Sequence, residues 1–192
     1  MRKFLLIAVV CVSTFFMENI SAQNKVKWIS FEQAVQLSQK QKKKILIDVY
    51  TDWCSWCKFM DRNTYTNEEV VNYINEHFYA VKFNAEQKED ITFKGKVYHF
   101  VKTSRNGYHE LAAELLKGQL GFPSTVFLDE SQSVLQSIQG YKDPLSFEMI
   151  ITYFGENLYK STPWSKFERD FQAQKKTPSV TEKPKQLNIK GQ

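Results

Sequence analysis

The run Ile45-Leu46-Ile47-Asp48-Val49-Tyr50 is apolar at both alternating positions except for one acid. It is short and rich in β-branched residues. Such a run predicts a strand buried on both faces, and a sheet covered by helices on each side provides that setting. Thr51-Asp52-Trp53-Cys54-Ser55-Trp56-Cys57-Lys58 follows at once. Two cysteines three apart, directly after a buried strand, fall where residues 58–63 continue as a helix. A helix start leaves N–H groups unpaired and carries a positive partial charge, and both favour a thiolate at Cys54. Cys57 then stands one turn further in, close enough to act on the same sulfur.

The same two cysteines could be half of a zinc site or a structural staple. Zinc needs about four ligands. The three histidines, His77, His99 and His109, are scattered without ligand-like spacing, so no metal is expected. His99 and His109 read as surface residues. A stapled secreted domain spreads several cysteines along its chain. Here Cys11 lies in the N-terminal segment, and only Cys54 and Cys57 stand beyond it. A redox pair carries its chemistry in its own sulfurs, so no bound cofactor is expected either.

The N-terminal residues set the compartment. Arg2 and Lys3 precede an apolar stretch over residues 4–16, too short to span a bilayer, and Ile20-Ser21-Ala22 supplies a small residue for cleavage. Residues 1–22 read as a signal peptide, with an uncleaved anchor as the alternative. The expectation is a periplasmic or secreted protein without stable membrane insertion after cleavage. The formal charge is +5. From Lys160 onward there are eight basic residues against three acidic, so the tail carries the whole excess and the body is neutral. A nucleic-acid binder would show its basic face on the folded body, and no nucleic-acid partner is expected.

Further elements follow from pattern. Residues 26–29 form a short strand. Ser30 and Gln33 make a capping box for a helix that dissolves in Lys40-Gln41-Lys42-Lys43-Lys44, a solvated helix end. Thr66 and Glu69 predict a second box opening a helix that runs to residue 77. Residues 78–84 alternate as a strand, and 91–100 read as a hairpin turning at Gly95. A helix over 108–118 ends at Gly118. Strands over 124–129 and 133–140 precede a helix over 144–158 with Pro144 in its first turn. Trp164, Phe167 and Phe171 share one face of a helix within 160–173 that docks on the body. Residues 174–192 are polar, basic and Pro-punctuated, and predict disorder.

Four landmarks, in order, resemble the thioredoxin family. They are the segment 45–58 with Asp48, Trp53, both cysteines and Lys58; Ala80-Val81-Lys82-Phe83-Asn84; the segment 118–129 around Pro123; and Gly140. The resemblance covers about residues 26–159. It implies an α/β thioredoxin fold at 23–159, a central mixed sheet flanked by helices, with an insert at about 85–106 before the cis-proline segment. By resemblance Cys54 is the nucleophile and Cys57 the resolving thiol, together a redox-active disulfide. Asp48 takes a proton from Cys57, and Lys82 pairs with Asp48 or lies on the surface. Pro123 is cis, and with Trp53, Trp56 and Phe122 it meets the substrate, although simple packing is an equal reading for Trp56. The implied partners are protein or peptide thiols and disulfides, with a membrane protein upstream as electron donor. The motif interior Ser55-Trp56 departs from the family's Gly-Pro and from the His of strong oxidants, and this points to a reductase. An oxidase or isomerase, or an exported binding or chaperone-like module, are the alternatives.

Overall fold

The computed structural model describes residues 25–104 and 106–176. Residues 1–22, read above as a signal peptide, and residues 177–192 of the tail lie outside the described residues. Five strands build the main sheet: β1 (Trp28–Ile29), β2 (Lys44–Tyr50), β3 (Phe78–Asn84), β8 (Ser124–Leu128) and β9 (Val134–Gln139), in the order β1-β3-β2-β8-β9. β3 runs parallel to β1 and β2, whereas β8 is antiparallel to β2 and to β9, so the sheet is mixed as expected. Among the described residues six α-helices accompany it: α1 (Phe31–Lys40), α2 (Ser55–Asn63), α3 (Glu68–His77), α4 (Glu110–Leu115), α5 (Pro144–Gly155) and α6 (Trp164–Lys176).

Alternation along β2 sorts these helices into two layers. Ile45, Ile47 and Val49 face a layer holding Phe31 and Ala34 of α1 and Leu111 and Leu115 of α4. Leu46 faces the other layer, with Met60 of α2, Val70 and Ile74 of α3, Phe147 and Ile151 of α5 and Phe167 of α6. Each fully buried Ile or Leu stabilises by about 1.5–3 kcal/mol relative to exposure, and β2 is the element both layers share.

The insert is built of two hairpins. β4 (Ile91–Phe93) and β5 (Lys96–Tyr98) turn through Lys94 and Gly95, both in the left-handed region at φ 50° and 77°. That geometry matches the twist of a two-residue hairpin loop. Ile91, Phe93 and Tyr98 feed the α1–α4 layer, and Phe93 meets Phe31 edge to face at 5.1 Å. β6 (Phe100–Lys102) and β7 (Gly107–His109) form a second hairpin, beyond the elements expected above.

Several expectations need correction. The helix expected over 108–118 is α4 alone, because Tyr108 and His109 belong to β7. Its end is closed by Lys117, left-handed at φ 53°, and by Gly118 N–H donating to the Ala113 carbonyl at 2.7 Å. Asn67, not Thr66, caps α3, accepting from Val70 N–H at 3.1 Å, because the Thr66 hydroxyl donates back to the Arg62 carbonyl. α5 stops at Gly155, and a short 3₁₀ turn follows at Leu158–Lys160. The lysine run is not a solvated end throughout: Lys44 begins β2, is buried, and donates to Glu130 at 2.8 Å and to the Gly155 carbonyl at 3.3 Å. His109 is not on the surface but fully buried. α6 continues through Gln174, Lys175 and Lys176, residues read as disordered from sequence.

Candidate functional site

Cys54 is the N-cap of α2 and Cys57 lies in its first turn, and the two are joined as a disulfide with Cα atoms 5.3 Å apart. The Cys57 N–H donates to Cys54 Sγ at 3.1 Å. Ordinarily an Asp or Ser oxygen takes that N–H; here a sulfur does. No acid lies in the first turn of α2, so nothing there counters the positive end of the helix at Cys54. Cys54 is 5 % exposed and Cys57 2 %, so Cys54 is the more accessible sulfur-bearing residue.

Beneath α2 the sheet carries a polar row. Lys82, Asp48 and Thr125 stand opposite one another on β3, β2 and β8, one step beyond the apolar row Ala80, Leu46 and Phe127. By alternation this row faces the layer that contains α2. Asp48 is 1 % exposed. Its Oδ2 pairs with Lys82 Nζ at 2.9 Å, while its Oδ1 has no hydrogen-bond partner among the described residues. Burial pushes the Asp48 carboxyl above the ordinary carboxylate range, against the pull of Lys82. Lys82 also contacts Asp61, and its ammonium lies 5.1–5.4 Å from the ring centres of Trp28, Tyr50 and Tyr65. Burial disfavours its charge, but Asp48 and Asp61 outweigh that, and the ammonium is held above its usual range. A cleft of about 350 Å³ lined by Trp28, Asp61, Tyr65 and Lys82 opens this group to the outside. The buried Tyr65 hydroxyl feels the Asp48 charge yet makes no hydrogen bond of ordinary geometry among the described residues.

Aromatic side chains flank the disulfide on both sides. Trp53 is 63 % exposed; its indole N–H donates to Glu86 at 3.1 Å, and its ring meets Phe122 at 6.0 Å. Phe122 precedes Pro123 through a cis peptide bond, and the Pro123 carbonyl accepts from Gly140 N–H at 2.8 Å. Trp56 is 58 % exposed and meets Phe59 edge to face at 5.7 Å and Tyr141 at a tilt at 5.6 Å. It is therefore packed on one side and open on the other.

The structure brings Cys54, Cys57 and Trp53 together around the start of α2, Asp48 and Lys82 into one ion pair, and Phe122, which precedes the cis Pro123, against Trp53. Sequence reasoning missed Asp61, Tyr65, Glu86 and Tyr141. Asp61 had a signal: it lies four residues after Cys57 on the same helix, hence on the same face. The other three depend on contacts between distant segments and left none.

A protein-family description, Thioredox_DsbH ("Protein of unknown function, DUF255"), matches residues 11–144. Spermatogenesis-associated protein 20 of Rattus norvegicus is 32% identical over 88 residues, 45% of this chain and 11% of that protein. Thiol:disulfide interchange protein DsbD of Yersinia pestis (strain Pestoides F) is 28% identical over 137 residues, 65% of this chain and 19% of that protein. The chain thus spans under a fifth of the length of either relative. Among solved structures, a thioredoxin-fold protein from Helicobacter pylori superposes with a TM-score of 0.52 at 20% identity, over 69% of this chain and 81% of that one. At that identity the likeness speaks for the fold.

Proposed function

The chain belongs to the DsbH family of thioredoxin-like proteins, and from that premise we propose that it is an exported thiol–disulfide oxidoreductase that reduces disulfides in proteins. The observation that carries this reading is the Cys54–Cys57 disulfide at the start of α2, above a sheet row holding the buried Asp48.

In the reduced protein the Cys54 thiolate attacks one sulfur of the partner's disulfide. A Cys54–partner bond forms, and the partner's other sulfur leaves as a thiolate. Cys57 then gives its proton to Asp48 and attacks Cys54 Sγ. The mixed disulfide breaks, the partner leaves with its second thiolate, and protonation completes its two thiols. Two electrons have passed to the partner, and Cys54–Cys57 is again a disulfide. A carboxylate whose burial raises its pKa suits this role because it accepts a proton more readily than an ordinary carboxylate does. Lys82 orients Asp48 and balances its charge when the proton departs. Resetting the pair takes two electrons from a dithiol donor. A membrane protein upstream fits that role in an exported protein. The missing His in the motif favours reduction, although the balance also depends on the relative stability of the two redox forms.

The test is a Cys57→Ser variant expressed with its leader. Serine cannot resolve the mixed disulfide at neutral pH, so thiol-sensitive complexes above the monomer should accumulate in the exported fraction. Cys54→Ser should trap far less. Absence of such complexes with Cys57→Ser, alongside undiminished partner binding by wild type, would leave a binding module as the better reading.

A further inference from the structure

A trough of about 590 Å³ separates the turn before Cys54 from the hairpin β6–β7, with Trp53 and Glu86 on one wall and Lys88, Phe100, Lys102 and Asn106 among the residues of the other. Past Trp53 it continues into a hollow of about 220 Å³ bounded by Leu120 and Phe122. Trp53, Glu86 and Asn106 line both parts, so the two form one channel along the exposed indole beside the disulfide.

The walls carry opposite charges that do not meet. Asp52 and Glu86, on the side of the main sheet, are held by neutral donors, Asn84 Nδ2 and Trp53 Nε1, each at 3.1 Å. Lys88 and Lys102, on the side of the insert, enter no ion pair among the described residues. The Lys88 ammonium lies over the Phe100 ring, 3.0 Å from its centre. Charges of both signs facing an open space suit an occupant with its own donors, acceptors and charges.

The insert wall is also fixed in place. The His109 N–H donates to the Ala85 carbonyl at 2.7 Å, and Glu110 N–H donates to the His99 carbonyl at 2.9 Å. The His109 ring accepts from Leu111 N–H through Nδ1 and reaches the Glu89 carbonyl through Nε2, so Nε2 carries the proton. A side chain at Gly107 would run into the Phe100 ring, which shows how closely the hairpin is packed on itself. The trough is therefore ready before anything binds. A small-molecule pocket encloses most of its ligand, whereas this one is open along its length. That shape suits a chain that continues beyond it, presenting alternating side chains and backbone groups.

We propose that this trough seats the extended polypeptide flanking the partner's reacting cysteine, and that the hairpin β6–β7 thereby selects protein disulfides over small-molecule ones. The inference rests on the exchange reaction proposed above and adds the element of the fold that would discriminate among its disulfide substrates.

The experiment uses the pre-reduced full chain and two probes: cystine, and two extended peptides joined by one disulfide. Asn106→Trp fills the trough, and its hydrogen bonds to Thr103 run through the backbone and survive the change. The second-order rate constant for the peptide disulfide, divided by that for cystine, should fall about tenfold. Lys102→Glu should lower the same ratio by roughly two- to fivefold. A ratio within about twofold of wild type for Asn106→Trp would overturn the trough and leave the exchange reaction standing. Wild-type protein that reduces neither probe would overturn the exchange reaction itself, and the trough with it.

Discussion

Ile47 and Asp48 are consecutive on β2, both essentially without exposed surface, and they face opposite layers of the molecule. On the Ile47 side the cluster around it holds Phe31, Val81, Leu111 and Val126, and polar groups buried in that layer, such as His109 and Ser38, are hydrogen-bonded. On the Asp48 side the row across the sheet is Lys82, Asp48 and Thr125, and one Asp48 carboxylate oxygen is left without a partner among the described residues. A buried charge whose hydrogen bonds are incomplete costs stability. The fold places that cost on the face covered by α2, the helix that carries the disulfide. The same degree of burial therefore does two jobs. On one face it holds the sheet to its helices; on the other it tunes an acid.

Substitutions on the two faces should separate these jobs. Ile47→Ala leaves a cavity in a fully packed layer and should destabilise by about 2–5 kcal/mol. Calorimetry should show the melting temperature falling by roughly 5–15 °C. Disulfide reduction per folded molecule, measured well below that temperature, should change little. A large loss of turnover in Ile47→Ala with stability intact would break the division between the faces.

Asp48→Asn should behave in the opposite way. The fold persists and turnover at pH 7 drops, by roughly 100-fold if proton transfer from Cys57 limits the rate. The loss should shrink as pH rises, because Cys57 then ionises without help. Stability gives an independent reading. Burial holds the Asp48 carboxyl above its ordinary value, so between the two values the folded chain binds more proton than the unfolded chain. Its contribution is full below the ordinary carboxylate range and is lost as pH rises through the raised value. Denaturant titrations of wild type should show this decline, and Asp48→Asn should flatten it. The raised value of Lys82 acts in the alkaline range and leaves this window alone. An unchanged slope in Asp48→Asn would show that Asp48 is not the group that titrates.

The division between faces was partly written in the sequence. The lone acid in Ile45–Tyr50 marks itself, because a strand buried on both sides has little use for a carboxylate, and the adjacent Cys54 and Cys57 say what it could serve. Periodicity also exposes β3, β8 and α5, whose apolar spacing is local. The partners of the polar row were harder to see. Asp61 required trusting the helix through one more turn, and Tyr65 and Trp28 reach Lys82 only after distant segments pack. Lys44 and His109 are read as surface residues by composition but are buried because carbonyls and a carboxylate from other elements satisfy them. The hairpin β6–β7 does carry the turn dipeptide Asn106-Gly107, but Gly107 already belongs to β7 and pairs with Lys102, so the dipeptide does not mark a two-residue turn, and strands of three residues each are below what alternation can register.

A second ion pair tests whether burial, and not charge pairing as such, gives the Asp48–Lys82 row its weight. Lys175 of α6 pairs with Glu148 of α5 at 2.6 Å, with the two side chains 41% and 18% exposed. It joins two helices much as Lys82 joins two carboxylates, but water screens it. Such pairs contribute about 0–1 kcal/mol. Lys175→Ala should therefore lower the melting temperature by no more than roughly 2–4 °C and leave turnover and its pH profile where they were. Cutting the chain after Gln174 removes the same lysine and should do no more, because Trp164, Phe167 and Phe171, the aromatic contacts of α6 with the core, all precede the cut. If either change cost as much as Ile47→Ala, the end of α6 would be part of the core, and charge pairing at the surface would matter here as much as burial does in the sheet.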